Sequence, residues 1–412
     1  MFTAIRDRLR SLGPGLLLAA AGIGAGDVVV ASVTGIKFGT TLLWAVAFTA
    51  ALKFVLTEAL ARWQLATGET VVRAWVTRLP RWVSIYFAGY LLLWTFLVGA
   101  SLSSACGLAA ASLFPALSVP VWGAIHAVGA ALLVGFNRYA RFQFAMKVLI
   151  AVMALCVLVS AVLASPTPTA VLGGLFVPLL PAEGGGAALL ALLGGIGGSL
   201  TVICYGYWMR AEGWNGAARL PAVRRDVRLA YVFTGLFGIA LVIIAAGVEA
   251  KAAGGARIAL EIAARLEAMA GPAGRWIFLV GFWCTVFTAM LGVWQGVPQV
   301  YEDLLASWRG KPTEAGATSG RPSRVFLGAL AYLAGPPLVL LWFKQPVAVV
   351  VTFSIAGAFF MPFLAATLLY LNNRRDLMGA LVNRRLGNAA LIVCLLVFGA
   401  VCVREVVTAL GS

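Results

Sequence analysis

Two glycine-rich interruptions inside long apolar stretches decide the fold of this chain. The first reads Ala21-Gly22-Ile23-Gly24-Ala25-Gly26-Asp27, and the second reads Gly194-Gly195-Ile196-Gly197-Gly198-Ser199. Glycine destabilises a helix interior by roughly 1 kcal/mol relative to alanine, so three or four glycines within one turn favour local unwinding. Small residues also allow helices to pack closely in lipid, which is the simpler explanation of the same residues.

The chain around these interruptions is too apolar for a soluble protein. Hydrophobic residues make up 62% and charged residues 11% of the 412 residues. In a typical soluble domain, about 45–50% of the residues are hydrophobic and about 25% are charged. So few charges cannot cover the surface of a soluble fold. The composition therefore predicts a polytopic membrane protein and excludes disordered chains, disulfide scaffolds and ordinary soluble enzymes.

Apolar runs of about 20 residues mark helices that cross a bilayer. We predict eleven such spans, at about 13–36, 41–65, 83–113, 119–136, 145–164, 187–210, 229–249, 275–303, 325–343, 346–371 and 388–410. The interruptions fall in spans one and six, five spans apart, as expected for two inverted five-helix repeats with a substrate site at the bilayer midplane. The prediction is one transmembrane domain over 1–412. It has repeat one at about 13–164, repeat two at about 187–371 and an extra helix at about 388–410.

The net charge of +16 reflects topology rather than a nucleic-acid partner. With the N-terminus in the cytoplasm, the inner segments hold 23 of the 31 Lys and Arg residues, and the outer segments hold seven. This asymmetry predicts a cytoplasmic N-terminus and an outer C-terminus in a plasma or inner membrane. The expected partners are the lipid bilayer and a small inorganic ion, with no nucleic acid and no obligate protein partner.

Three charged residues lie inside the predicted spans: Asp27, Lys53 and Glu58. A charge at the centre of a bilayer costs at least about 2.5–3.5 kcal/mol, so each is a candidate for function. Asp27 directly follows the first interruption and is best placed to meet a substrate or a coupling ion. Lys53 and Glu58 pair either with each other or with partners elsewhere. His126, the one histidine, has no nearby partner in the sequence and is interpreted as a packing residue.

Short motifs along the chain occur in the order typical of one transporter family. They are Gly13-Pro14-Gly15, Lys37-Phe38-Gly39, Leu42-Leu43-Trp44, Ala61-Arg62, Thr67-Gly68, Gly174-Leu175-Phe176-Val177-Pro178, Met361-Pro362-Phe363, Asn373-Arg374-Arg375-Asp376-Leu377-Met378-Gly379 and Val382-Asn383-Arg384-Arg385. Over nearly its full length the chain resembles the Nramp family of metal-ion transporters. The resemblance implies an all-α, LeuT-like inverted repeat of five plus five transmembrane helices with an eleventh helix, in which helices one and six are broken.

The metal ligands that the resemblance implies are missing. The family breaks span one at Asp-Pro-Gly-Asn, where this chain has Gly24-Ala25-Gly26-Asp27, and its Met-Pro-His of span six corresponds to Thr201-Val202-Ile203. The acidic pair of span three falls at Leu93 and Phe96, and the glutamine of span ten falls near Ser354. Thioether and imidazole ligands favour transition metals, whereas oxygen ligands favour Mg²⁺, Ca²⁺ or Na⁺. We therefore predict no site of the transition-metal type.

The remodelled breaks predict a different kind of substrate site. Its predicted residues are Gly22, Gly24, Gly26, Asp27, Gly198, Ser199, Thr201 and Tyr205. Free N–H groups at the N-termini of half-helices carry partial positive charge and suit small anions. Asp27 is predicted to bind the coupling ion, Na⁺ or H⁺, and no other cofactor is expected.

The sequence thus predicts a secondary-active transporter of a small inorganic ion other than a transition metal. The prediction leans to an anion such as bicarbonate, co-transported with Na⁺ or H⁺. The alternative is a transporter of a hard divalent metal ion, Mg²⁺ or Mn²⁺. A membrane enzyme is disfavoured because the sequence has no nucleophile motif, metal-ligand cluster or acid pair, and a channel is disfavoured by the paired breaks.

Overall fold

A computed structural model describes residues 13–136, 139–164, 166–248, 257–313, 315, 322–343 and 345–411. Seven residues from the charge count above lie outside the described residues: Arg6, Arg8, Arg10, Arg138, Lys251, Arg321 and Lys344.

The regular elements of the described ranges are all helices. Ten of them are long and apolar enough to cross a membrane, and the bent pair Pro14–Gly22 and Gly26–Phe38 makes eleven. Counted in this way, each of the eleven predicted spans corresponds to one long apolar helix or to the bent pair. In order, they are Pro14–Gly22 with Gly26–Phe38, Leu43–Thr67, Arg81–Leu113, Val119–Phe136, Tyr139–Leu163, Gly185–Gly195 with Leu200–Ile203 and Cys204–Ala211, Leu220–Ala245, Arg257–Trp308, Arg324–Ala334 with Pro336–Phe343, Pro346–Leu371 and Arg385–Gly411. Short helices Val71–Thr77, Pro168–Phe176 and Arg375–Met378 lie in the connections.

Spans seven and eight begin earlier than predicted. Span seven starts at Leu220 rather than near residue 229, and its first turns carry the charged residues 224–226 and 228. Those charges lower the hydropathy without ending the helix. Span eight extends back to Arg257, but its backbone is not helical at Ala270 and Gly271, so a kink separates the two parts.

The two broken spans lie at the centre of the bundle. In span six, 78% of the most apolar stretch is buried inside the protein, whereas only 22% of the corresponding stretch is buried in spans four and eleven. Spans four and eleven therefore present most of their surface outward, toward lipid. Every residue of the first break, from Gly22 to Asp27, is buried.

Glycine lets the central helices touch backbone to backbone. A Cβ atom at Gly194 would lie 1.7 Å from the carbonyl oxygen of Ser354 in span ten, and one at Gly26 would lie 2.8 Å from the Cα atom of Gly195. A side chain at either position would push the spans apart. The packing explanation of these glycines therefore applies in addition to the unwinding.

Candidate functional site

Span one is interrupted by a short extended segment. The first half-helix ends at Gly22, Ile23 is extended (φ −84°, ψ 99°), and the chain resumes with one π-helical turn, Gly26–Val30. The two halves differ in direction by 51°. The break leaves backbone groups near Gly24 without partners in a regular helix.

Span six is interrupted by two glycines in the left-handed region. Its first half ends at Gly195, Ile196 is extended, and Gly197 and Gly198 have φ of +71° and +75°. Residues with a side chain rarely adopt these angles, so the conformation requires glycine at both positions. A turn of 3₁₀ helix, Leu200–Ile203, then leads into the second half.

Asp27 joins the two breaks. Its side chain is fully buried, and its Oδ2 accepts a hydrogen bond from the Gly24 amide at 2.9 Å. Its Oδ1 accepts a hydrogen bond from the Gly197 amide of span six at 3.1 Å. The carboxylate also lies in the first turn of a half-helix, where the helix dipole favours negative charge.

Lys53 occupies the carbonyl side of the second break. It is fully buried near the middle of span two, and its Nζ donates to the carbonyl of Gly194 at 3.2 Å. The same ammonium group donates to the carbonyls of Ile196 and Gly198. These oxygens lie at or just beyond the C-terminal end of a half-helix, which carries partial negative charge. Lys53 and Asp27 therefore bind the same short segment, 196–198, Lys53 through its carbonyls and Asp27 through the Gly197 amide.

Of the two alternatives for Lys53 and Glu58, the structure supports the second, because each has partners elsewhere. The Oε2 of Glu58 lies 3.2 Å from the Nε of Arg62, and its Oε1 lies 2.8 Å from the Nε of Arg224. Five residues of helix turn the side chain by about 140°, since each residue advances it by about 100°. Lys53 therefore faces the breaks, whereas Glu58 faces the arginines.

Ser199 and Thr201 follow the second break and differ in their partners. The Oγ of Ser199 accepts a hydrogen bond from the Nε1 of Trp94 at 2.8 Å. The Oγ1 of Thr201 is buried and has no hydrogen-bond partner among the described residues. A buried hydroxyl without a partner costs about 1–3 kcal/mol. Thr201 is thus the polar side chain at the break that is available to a ligand.

Tyr205 was predicted to contact the substrate, but its hydroxyl is used elsewhere. It donates to the Oδ2 of Asp226 in span seven at 2.8 Å, and the same oxygen accepts from the Gly15 amide at 2.6 Å. Asp226 therefore ties together the start of span one, the second half of span six and the start of span seven. Asp226 was not predicted as a site residue, because it lies among charged residues that were interpreted as a loop before span seven.

The predicted glycines of span one pack closely against other helices. A Cβ atom at Gly22 would lie 3.1 Å from the carbonyl carbon of Gly197, and one at Gly24 would lie 2.7 Å from the Cβ atom of Ala289. The amide of Gly24, which was expected to bind an anion, instead binds Asp27. The carbonyl oxygen of Gly198 accepts a hydrogen bond from Lys53.

His126, interpreted from the sequence as a packing residue without a nearby partner, packs among aromatic rings and also makes two polar contacts. Its Nε2 accepts from the Nε1 of Trp283 at 2.9 Å, and its Nδ1 lies 2.7 Å from the carbonyl oxygen of Trp122. The ring also stands edge-on to Phe287. The partners come from span eight and from one helical turn earlier, so no sequence neighbour revealed both.

The site provides oxygen ligands rather than soft ones. Across the described ranges, no group of three or more His, Cys, Asp and Glu side chains could hold a metal ion. Leu93, where the resemblance places a family acid, is 56% exposed on the outside of the bundle, while Trp94 is buried. The available donors are the Asp27 carboxylate, the carbonyls now bound by Lys53 and the Thr201 hydroxyl.

The chain is similar to known transporters in sequence. The model of the family described as natural resistance-associated macrophage protein-like, or Nramp, matches residues 15–408. Metal transporter Nramp5 of Oryza sativa subsp. japonica is 26% identical over 193 residues, which are 46% of this chain and 35% of that protein. Metal transporter Nramp6 of Arabidopsis thaliana is 28% identical over 193 residues, which are 44% of this chain and 35% of that protein. The matches thus span about a third of the length of these curated relatives.

The chain is also similar to solved structures. A variant of the Eremococcus coleocola manganese transporter superposes with a TM-score of 0.76 at 14% identity, covering 96% of this chain and 86% of that one. MhsT in complex with L-phenylalanine gives a TM-score of 0.59 at 14% identity, covering 97% and 98%. These likenesses confirm the predicted all-α, LeuT-like fold with broken helices one and six.

Proposed function

This chain belongs to the Nramp family, and we propose that it is a secondary-active transporter that carries a small inorganic ion through the centre formed by Asp27, Lys53 and the two breaks. One observation supports this function above all. A buried carboxylate and a buried ammonium bind the backbone groups that both breaks expose. Charged groups inside a membrane protein are costly, and paired broken helices are typical of transporter binding sites.

The first candidate cargo is a hard divalent cation, Mg²⁺ or Mn²⁺. The relatives named above are metal transporters, and the donors at the breaks are oxygens, which suit hard cations. The ammonium of Lys53 holds the carbonyls of Gly194, Ile196 and Gly198. A divalent cation must therefore displace this ammonium, or enter when Lys53 has lost its proton. Lys53 would then couple cation entry to proton release.

The second candidate cargo is a small anion such as bicarbonate, which the sequence alone favoured but which the similarity to metal transporters does not support. The ammonium group of Lys53 and the Thr201 hydroxyl, which has no hydrogen-bond partner among the described residues, favour an anion. Asp27 would then bind the coupling Na⁺ or H⁺. This candidate stands second because the amides of Gly24 and Gly197 already bind Asp27, and because the relatives named above are metal transporters.

The proposed setting is a plasma or inner membrane with the N-terminus in the cytoplasm. The excess of Arg and Lys in alternate loops supports this orientation. The two repeats and the extra helix are proposed to work as one transmembrane domain, because spans one and six, one from each repeat, meet at Asp27.

A flux panel in proteoliposomes tests the proposal. We expect uptake of Mg²⁺ or Mn²⁺ into vesicles that contain the wild-type chain, with loss of at least tenfold in Asp27→Asn and in Lys53→Met. Asp376→Asn is the matched control, because it removes the same charge from an exposed acid paired with Arg374. Bicarbonate flux without divalent-cation flux would overturn the first cargo in favour of the second. Absence of flux for Mg²⁺, Mn²⁺, Na⁺ and bicarbonate would contradict the transporter itself.

A further inference from the structure

A basic cavity of about 820 Å³ opens at the arginine-rich end of the bundle. Span two, the start of span seven, the connection after span ten and the start of span eleven form its walls. Its charged lining residues are Glu58, Arg62, Arg224, Arg228, Arg384 and Arg385. Five arginines and one glutamate leave this cavity with a net charge of +4.

Three of these arginines have charges that no described residue neutralises. Glu58 binds Arg62 and Arg224. Among the described residues, by contrast, Arg228, Arg384 and Arg385 form no ion pair, and all three are exposed. Three uncompensated guanidinium groups around one cavity favour an anionic ligand. Arginine also binds phosphate groups in a planar, bidentate manner.

A second, apolar cavity continues from the first along the outside of the bundle. It measures about 350 Å³, lies between spans two and seven, and shares Phe54 and Arg228 with the basic cavity. Small residues, Ala47, Ala51 and Gly235, keep this groove open. Its neighbour Leu236 is 55% exposed, on a surface that faces lipid in a bilayer.

We propose that these two cavities together bind one anionic phospholipid. Its phosphate lies among Arg228, Arg384 and Arg385, and one acyl chain follows the apolar groove past Ala51. The continuity of a basic cavity with an apolar groove favours a lipid over a free phosphate, because a free anion has no use for the groove. Basic pockets between transmembrane helices are suited to acidic headgroups. The proposal does not depend on which ion the central site carries.

The test measures which lipid the purified chain retains. The protein is incubated in detergent with equal amounts of phosphatidylglycerol and phosphatidylcholine, and native mass spectrometry counts bound lipid. We expect preferential binding of phosphatidylglycerol that falls roughly 30-fold in the double variant Arg384→Gln/Arg385→Gln, or about 2 kcal/mol. Ala51→Phe fills the groove and is expected to weaken lipid binding without removing charge.

Matched controls make the outcome decisive. Arg81→Gln/Arg225→Gln removes two exposed arginines that do not line the cavity, and Ala151→Phe adds the same bulk on the exposed face of span five. Both are expected to bind phosphatidylglycerol as the wild type does. Equal retention of phosphatidylcholine, or equal loss in the control variants, would overturn the proposal. Thermal stabilisation by inorganic phosphate equal to that by phosphatidylglycerol, undiminished in Ala51→Phe, would show a free-anion site instead.

Discussion

Asp27 and Lys53 divide between them the polar backbone groups that two broken helices expose. The carboxylate of Asp27 accepts from the amides of Gly24 and Gly197, and the ammonium of Lys53 donates to carbonyls on either side of Gly197. Each charge thus meets the end of a half-helix that carries the opposite partial charge. The centre stays neutral as a whole, which explains how two charges are tolerated deep in an apolar bundle.

Removing both charges together should cost less stability than the sum of the losses from removing each charge alone. Lys53→Met leaves three carbonyls without their donor and Asp27 without an opposite charge, and we expect a loss of about 3–5 kcal/mol in the free energy of unfolding. Because the two groups attract, Asp27→Asn/Lys53→Met should lose less than the sum of the single variants by about 0.5–3 kcal/mol. Unfolding in mixed micelles measures all four states of this cycle.

The control for this cycle uses the neighbouring acid. Glu58 is bound by Arg62 and Arg224 rather than by Lys53, so Glu58→Gln/Lys53→Met should show additive losses. Coupling as large as that of the Asp27 cycle would contradict the assignment of Lys53 to the helix breaks.

The central site should not prefer soft metals. The resemblance places Thr201 at the position of the family's methionine, and its hydroxyl gives no advantage to Cd²⁺ over Mg²⁺. We expect Cd²⁺ to bind no more tightly than Mg²⁺ in isothermal titration of the detergent-solubilised protein. Tight Cd²⁺ binding that disappears in Asp27→Ala, but persists in the control Asp376→Ala, would contradict this prediction.

The sequence was sufficient for the architecture because each of its signals is local. Runs of apolar residues set the spans, and clustered glycines at 22–26 and 194–198 set the breaks. The partners of the buried polar groups were not predictable in this way. Lys53 binds carbonyls that are 141 to 145 residues away, and Tyr205 binds an acid in the next span. Such pairings depend on how helices pack, and one sequence contains no signal for them.

Tyr205 should hold the start of span one in place. Its hydroxyl orients Asp226, which in turn accepts from the Gly15 amide, one of the first amides of a helix and therefore without an intrahelical partner. Tyr205→Phe removes a hydrogen bond worth about 1 kcal/mol, so we expect roughly fivefold faster hydrogen exchange in residues 14–22. Mass spectrometry of deuterium uptake measures this segment directly.

Tyr207 provides the matched control on the same half-helix. Its hydroxyl donates to Asp303 in span eight at 2.9 Å and does not bind Asp226. Tyr207→Phe should leave exchange in residues 14–22 unchanged. Equal acceleration in both variants would mean that the half-helix as a whole, rather than the Tyr205–Asp226 contact, sets the mobility of span one.

Thr201 and Ser199 should separate cargo binding from folding. The Thr201 hydroxyl has no partner among the described residues, so Thr201→Val removes an unsatisfied polar group and should leave stability unchanged or slightly higher. Ser199→Ala instead leaves the indole N–H of Trp94 without an acceptor, and we expect it to lose about 1–3 kcal/mol of stability.

If the Thr201 hydroxyl contacts the transported ion, Thr201→Val should raise KM for uptake several-fold while Ser199→Ala changes KM less. Thermal midpoints in detergent and initial rates of uptake in proteoliposomes measure the two effects separately. Unchanged KM in a well-folded Thr201→Val protein would remove Thr201 from the binding site.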